Sequence, residues 1–428
     1  MKSIKKFILC FVYAFLCSFN SYGKIEVDSL VLIKSIVLEE NEDVILTEVS
    51  MVSTDSSSSR ILVSDFEGHT IILYDAANGK VLKSFEASFE LSDSVPIKCQ
   101  YWNPEKEYVK KEEIVFADGR KLDDNFVRTR LRNEFFCGFF VSDNEIWISA
   151  YIKSLVKPKN TDTVEWAHIS QATSILQYDL NINIVSKFVC FKEFFYAFAW
   201  PYHFAVPPTR DSIFILIVNY PHFKNNQFDS LWIIGSYDLD GNLLNLVAKL
   251  PNEYLETKLG YSLLFKPKFY FNRKKELIGV FPYAERIFNF TNSTFIELKG
   301  LSLSNKIFLD SLQENPKLVD TFLKRYPYFL PNTIIDVFVK HNDCFVVVIL
   351  QVSKDEQAKE QVYWIIQEYD EKGNLNNQYK IRNLDEHGYI HYIYYDKAKD
   401  EFLIFKLHKE KGWFVDFYRR GRKNANTH

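Results

Sequence analysis

Along this chain, apolar and β-branched residues come in short runs broken by compact polar turns, and one combination recurs. Tyr74-Asp75 precedes Asn78-Gly79-Lys80-Val81-Leu82, Tyr237-Asp238 precedes Gly241-Asn242-Leu243-Leu244, and Tyr369-Asp370 precedes Gly373-Asn374-Leu375. Tyr178-Asp179 with Asn183-Ile184-Val185 is a degenerate fourth copy. Each predicts a hairpin: an apolar strand runs into a tight turn, the Asp carboxylate caps the backbone, and Gly or Asn takes the positive φ. Further β-branched or aromatic runs at residues 61–63, 145–149, 212–218 and 344–350 place another strand upstream of each copy. Two more units keep the strand order without Tyr-Asp, over residues 268–290 and 390–418. Six four-stranded units of about 67 residues predict an all-β, six-bladed β-propeller, in which radial closure protects the sheet edges. The last unit ends after its third strand. Residues 31–38 are expected to supply the missing outer strand and close the ring between the chain ends.

The same strand order separates short connections from long ones. The long segments are residues 89–133, 151–173, 190–203, 220–229, 250–265, 301–332 and 351–361. Loops of this length are uncommon in compact domains, and their alternation puts them all on one face, where a binding site is expected. Within 301–332, Asn315 reads as an N-cap, Pro316 as a first helical residue, and Leu318, Val319, Phe322 and Leu323 as one apolar face, predicting a short helical insertion.

Aromatic and imidazole side chains concentrate in those segments: Tyr101, Trp102, Trp166, His168, Trp200, Tyr202, His203, Tyr220, His222 and Tyr283. Aromatic rings stack on flat ligands and are favoured in binding hot spots. They also pack loops down. Asp65, Glu67 and His69 crowd the end of a strand, and with His168, His203 or His222 they are the candidates for a metal or acid-base cluster. The expected ligand-binding set is therefore Asp65, His69, Trp166, His168, Trp200, Tyr202, His203, Tyr220 and His222. The segment from Asp238 to Asn242 imitates a calcium loop, but Gly241 falls at the fourth position and Lys249 at the twelfth, so it reads as a turn. The sequence contains no nucleophile elbow, zinc-helix motif or phosphate loop. No catalytic residue, metal or cofactor is assigned.

At the N-terminus, Lys2, Lys5 and Lys6 precede an apolar run over residues 7–17, and small residues follow at Ser21 and Gly23. That is the order of a secretory signal peptide over residues 1–23, too short to span a bilayer, which needs about 20 apolar residues. A rival reading makes Cys17 the lipid-anchored cysteine of a lipoprotein. Removing the segment takes the formal charge from −3 to −6. A mildly acidic body argues against nucleic acid as partner, and the cluster Arg419, Arg420, Arg422 and Lys423 reads as a basic disordered tail over 419–428. Cys99, Cys137, Cys190 and Cys344 match no zinc or redox spacing and are expected as small buried hydrophobes, with one disulfide as the alternative. Asp-Ser or Asp-Thr followed by an aliphatic residue occurs six times, from Asp28-Ser29-Leu30 to Asp310-Ser311-Leu312, a pattern resembling O-glycosylation acceptors of exported bacterial proteins.

Strand-turn patterns such as Ile61-Leu62-Val63-Ser64-Asp65, with the Tyr-Asp-x-x-Gly turns, resemble exported six-bladed propellers of the NHL and TolB-like type. They are especially similar to a propeller family of gut Bacteroidota with no assigned function. The resemblance covers most of residues 24–418 and implies architecture and export to the periplasm or cell surface. Propellers host many activities. The expectation is a non-catalytic protein that recognises a protein, peptide or glycan through its loop-bearing face. The alternative is a metal-dependent hydrolase or lyase with ligands at Asp65, His69, His168, His203 or His222.

Overall fold

The computed structural model describes residues 29–41, 44–65, 67–85, 114–116, 126–158, 165–181, 184–191, 203–217, 232–249, 251, 267–301, 303, 332–354, 360–385 and 388–421. They form a six-bladed β-propeller of four-stranded antiparallel blades. After β1 (Leu30–Val37), blade 1 comprises β2 (Val49–Thr54), β3 (Arg60–Asp65), β4 (Thr70–Asp75) and β5 (Val81–Phe85). A short β6 (Ile114–Phe116) leads to blade 2: β7 (Phe126–Ser142), β8 (Glu145–Pro158), β9 (Glu165–Asp179) and β10 (Ile184–Cys190). Blade 3 is β11 (Phe204–Ala205), β12 (Ser212–Leu216), β13 (Trp232–Asp238) and β14 (Leu243–Lys249). Blade 4 is β15 (Lys268–Phe271), β16 (Leu277–Val280), β17 (Arg286–Asn289) and β18 (Thr294–Glu297). Blade 5 is β19 (Thr333–Val339), β20 (Phe345–Lys354), β21 (Glu360–Tyr369) and β22 (Leu375–Arg382), followed by β23 (Leu384–Asp385). Blade 6 is β24 (Gly388–Asp396), β25 (Glu401–His408) and β26 (Gly412–Arg420). Its fourth, outer strand is β1, in the order β1-β26-β25-β24, as residues 31–38 lead one to expect. Among the described residues there is no helix, and the helical insertion expected around Asn315 and Pro316 lies outside them, as do residues 1–23 and Cys17.

The chain divides into two compact units, one holding blades 4 and 5 and the other blades 1, 2, 3 and 6. In each, the recurring Tyr-Asp dipeptide does two separate jobs. The tyrosine is core: Tyr74, Tyr237 and Tyr369 are wholly buried, each in a different apolar cluster where one blade packs on the next. Burying an aromatic side chain of this size stabilises by about 2–3 kcal/mol. The aspartate is a turn cap. Asp238 Oδ1 accepts from the amides of Asp240 at 2.9 Å and Asn242 at 2.8 Å. Asp370 repeats this with Lys372 and Asn374, both at 2.8 Å. Asp75 and Asp179 each accept from the amide two residues on. Gly79, Gly241 and Gly373 follow with φ of 76°, 80° and 76°, the left-handed backbone that glycine adopts without steric cost.

The C-terminal end differs from expectation. Arg419 and Arg420, grouped by sequence with a disordered tail, end strand β26. Arg420 is held by a buried carboxylate: its Nε lies 2.8 and 2.9 Å from the two oxygens of Glu368, and its Nη2 also contacts Oε1. Lys340 Nζ at 3.3 Å, Asn377 Nδ2 at 2.8 Å and the Tyr379 hydroxyl at 3.5 Å also reach the Glu368 carboxylate. Burial alone raises the Glu368 pKa, but the hydrogen bonds from Arg420 and Asn377 and the charges of Arg420 and Lys340 outweigh it and hold the carboxyl below its usual range. A depressed folded-state value means that this contribution is complete above the unfolded pKa of about 4.3 and is lost as pH falls through the folded value. Glu368→Gln should lower stability by about 2–3 kcal/mol at pH 7 and flatten the acid limb of the stability profile. Urea titrations at pH 7 and below 4 measure both. An unchanged acid limb would mean that Glu368 does not carry it.

Candidate functional site

Of the expected ligand-binding residues, Trp200, Tyr202, Tyr220 and His222 lie outside the described residues. The others fall into three separate places.

Asp65 and His69 flank the β3–β4 turn. The Asp65 carboxylate is fully buried and saturated by protein donors: the Thr47 amide at 2.6 Å, Thr47 Oγ1 at 2.6 Å, and the amides of Glu48 and Gly68 at 3.0 Å. Four donors from the entering segment and the turn tie residues 47 and 48 to the end of β3. A Cβ on Gly68 would stand 2.7 Å from Asp65 Oδ2, so this knot also fixes the identity of the turn residue. Deep burial and the nearby carboxylates of Glu40 and Asp65 push the Tyr74 hydroxyl well above the ordinary tyrosine range. His69 has a φ of 52°, and its carbonyl accepts the Phe135 amide at 3.3 Å. Both residues thus do structural work at the turn, which their clustering in sequence does not distinguish from a ligand set.

His203, expected in an open loop, is 2% exposed immediately before β11. Tyr283, listed with the aromatics of the decorated face, is also buried, and burial raises its hydroxyl pKa strongly against a hydrogen bond with Thr333. These two belong to the packed interior. Cys137 is likewise buried, its Sγ 3.0 Å from Ser149 Oγ.

Trp166 and His168 sit in neither a loop nor a turn. Residues 126–133, 151–158 and 165–173, expected as connections, are strand, so β7, β8 and β9 run to 17, 14 and 15 residues, while no strand of the other blades exceeds 10. The outer half of these strands extends past the part paired by β10, and β6 takes the freed edge of β9 through Ile114↔Ile169, Val115↔His168 and Phe116↔Ala167. Register fixes which positions share a face, because directly opposed residues and residues two apart lie on the same side of the pleat. One row is Arg132↔Lys153↔His168 and the next is Arg130↔Leu155↔Trp166. Glu134↔Tyr151 continues the same face. The opposite face carries Leu131, Ile152, Ser154, Val156, Ala167 and Ile169. Arg130, Arg132 and Lys153 were not singled out by sequence. A signal for them exists in the alternation Val127-Arg128-Thr129-Arg130-Leu131-Arg132, a period of two that marks a half-solvated strand.

In blade 5, Asp336 is fully buried within β19 and was also missed. The Tyr270 hydroxyl donates to its oxygens at 3.0 and 3.2 Å and the Val337 amide to Oδ1 at 2.8 Å. The pair joins the first strands of blades 4 and 5. Among the described residues, no three His, Cys, Asp or Glu side chains converge as ligands of one metal ion.

No protein-family model matches this sequence, and no curated protein matches it. The chain is similar to a solved structure of a candidate exported protein from Bacteroides fragilis, at 11% identity over 93% of this chain and 98% of that one, with a TM-score of 0.47. It is similar also to a protein of unknown function from Bacteroides caccae, at 10% identity over 78% and 81% of the two chains, with a TM-score of 0.40. Hydrazine synthase of Kuenenia stuttgartiensis follows at 9% identity over 84% and 75%, with a TM-score of 0.34. The propeller itself stands on this chain's own sheet order.

Proposed function

We propose that this chain is an exported propeller of the NHL and TolB-like type that binds a partner without transforming it, and that the extended sheet of blade 2 is its binding element. The observation that supports this reading is the length of β7, β8 and β9, about twice that of the strands in the other blades. A blade needs only four or five residues per strand to pack on its neighbours, as blade 4 illustrates, so the additional strand length in blade 2 builds surface that closure does not require. It is regular sheet, a rigid support of the kind that holds recognition residues more precisely than a loop does.

The test replaces residues 154–167 with an Asn-Gly turn, which keeps the Lys153↔His168 pair and removes the tip. Intact and shortened proteins are then compared by biolayer interferometry on a panel of envelope glycans and peptides. The expected result is micromolar binding by the intact protein that the shortened one loses at an unchanged melting temperature. Equal binding by both would move the site elsewhere. Metal analysis of the same preparation addresses the rival reading: stoichiometric metal with a chelation-sensitive melting transition would put a hydrolase or lyase in place of the binding protein.

A further inference from the structure

We infer that the charged face of the β7–β8–β9 extension takes an acidic polysaccharide, laid across the strands. This rests on the binding role proposed for blade 2 and names its ligand class. Two adjacent cross-strand rows bring Arg132, Lys153 and His168 beside Arg130, Leu155 and Trp166 on one face. The positions form a grid of about 5 Å across the strands and about 7 Å along them. Three register positions held by Arg or Lys and one held by His therefore share two adjacent rows, with Glu134 in the next row of that face, on a chain whose net charge is −3. Attraction for anions is local to this patch and not a property of the whole surface.

Three features select the ligand. Arginine forks pair with carboxylate or sulfate oxygens two at a time, which suits an anion on each monomer of a linear chain. Trp166 stands two positions from His168 on the same face, and an indole offers the flat apolar surface on which a sugar ring stacks. The third concerns the edge of the sheet. A peptide would add as a strand through main-chain hydrogen bonds, and on β9 beyond β10 residues 167–169 are already paired by β6. A polysaccharide needs no backbone pairing and can lie on the face, whereas a peptide would have to add along β7, the terminal strand of this sheet.

The experiment measures binding of the mature protein to polygalacturonate, chondroitin sulfate, neutral dextran, poly-L-glutamate and single-stranded oligo-dT. The comparison variants are Arg130→Glu/Arg132→Glu and Trp166→Ala, with Arg130→Gln/Arg132→Gln as the milder pair should charge reversal disturb folding. Binding is expected to the two acidic glycans and not to dextran, weakening at least tenfold between 50 and 500 mM NaCl as the charges are screened. The arginine reversal should reduce it at least 30-fold and Trp166→Ala about fivefold to tenfold, with melting temperatures within about 2 °C of the parent. Poly-L-glutamate or oligo-dT binding as well as the glycans would overturn the proposal, because charge alone would then suffice. Acidic-glycan binding that survives both arginine variants would overturn it as well. If some panel ligand binds, ignores the arginine substitutions and is lost only on shortening the hairpin, the ligand class fails while the binding role of blade 2 stands. If the shortened protein retains all binding, both fail.

Discussion

Gly79→Ala and Gly373→Ala should each lower the unfolding free energy by about 4 kcal/mol or more, whereas Gly300→Ala should cost only about 1–2 kcal/mol. All three glycines have positive φ, at 76°, 76° and 85°, so the backbone penalty is shared. The difference lies in what an added Cβ meets. At Gly79 it would run into the backbone carbonyl of Val37, well inside contact distance, and at Gly373 into the carbonyl of Glu297. At Gly300 the nearest atom is a flexible Leu375 methyl at 3.6 Å. Each crowded glycine also anchors the segment that crosses it: the Glu39 amide donates to the Gly79 carbonyl and the Lys299 amide to that of Gly373, both at 2.9 Å. In both cases the crossing segment leaves the outer strand of the preceding blade, β1 in one and β18 in the other. The turn glycine is thus a docking point between blades, and a methyl group would lift a backbone segment off it. Urea midpoints of the three variants measure the contrast. Equal, small losses at all three positions would mean that the crossings are not held at these glycines.

Asp65→Ala should cost about 3–5 kcal/mol. The change removes the acceptor for three amides, of which that of Glu48 is buried and those of Thr47 and Gly68 are partly so, and for one hydroxyl; buried donors left unpaired are each penalised by about 1–3 kcal/mol, partly relieved by relaxation of the turn. Asp65→Asn keeps one acceptor oxygen but turns an amide toward donors, so a loss of about 2–3 kcal/mol is expected. The pair of variants also separates two roles for this residue. If Asp65 acted as a ligand or acid-base group, its removal would abolish binding or turnover while the urea midpoint stayed close to the parent. A large fall in midpoint with ligand binding intact in the remaining folded protein is the expected outcome.

How far the sequence could be read follows the range of the interactions concerned. The Tyr-Asp-x-x-Gly turns were legible because their hydrogen bonds span two to four residues, as in Asp370 with Lys372 and Asn374. Six repeats of the same strand order leave few architectures other than a propeller, whereas the burial of the turn tyrosines shows no alternation to read, since the strands that carry Tyr74 and Tyr237 are buried along nearly their whole length. Even the closing strand was legible, because the final unit lacked one strand and the N-terminal run was apolar enough to supply it. Blade 2 was misread as loops where strands run on, since its charged alternation has a period of two but lacks the apolar density used to mark the other strands.

The roles of individual residues were decided elsewhere. Asp65 next to Glu67 and His69 has the composition of a ligand cluster, yet its partners Thr47 and Glu48 arrive from 18 and 17 residues upstream and consume its carboxylate. Arg420 has the composition of a frayed tail, and Glu368, 52 residues away, makes it an anchor. Gly79 is required by its turn for φ alone, but Val37, 42 residues earlier, adds the demand for an absent side chain. Local backbone chemistry is encoded within a few neighbouring residues and can be read in order along the chain. Which polar groups are saturated, buried or brought into one row across strands depends on partners distant in sequence that only the packing of one strand or blade on the next brings together.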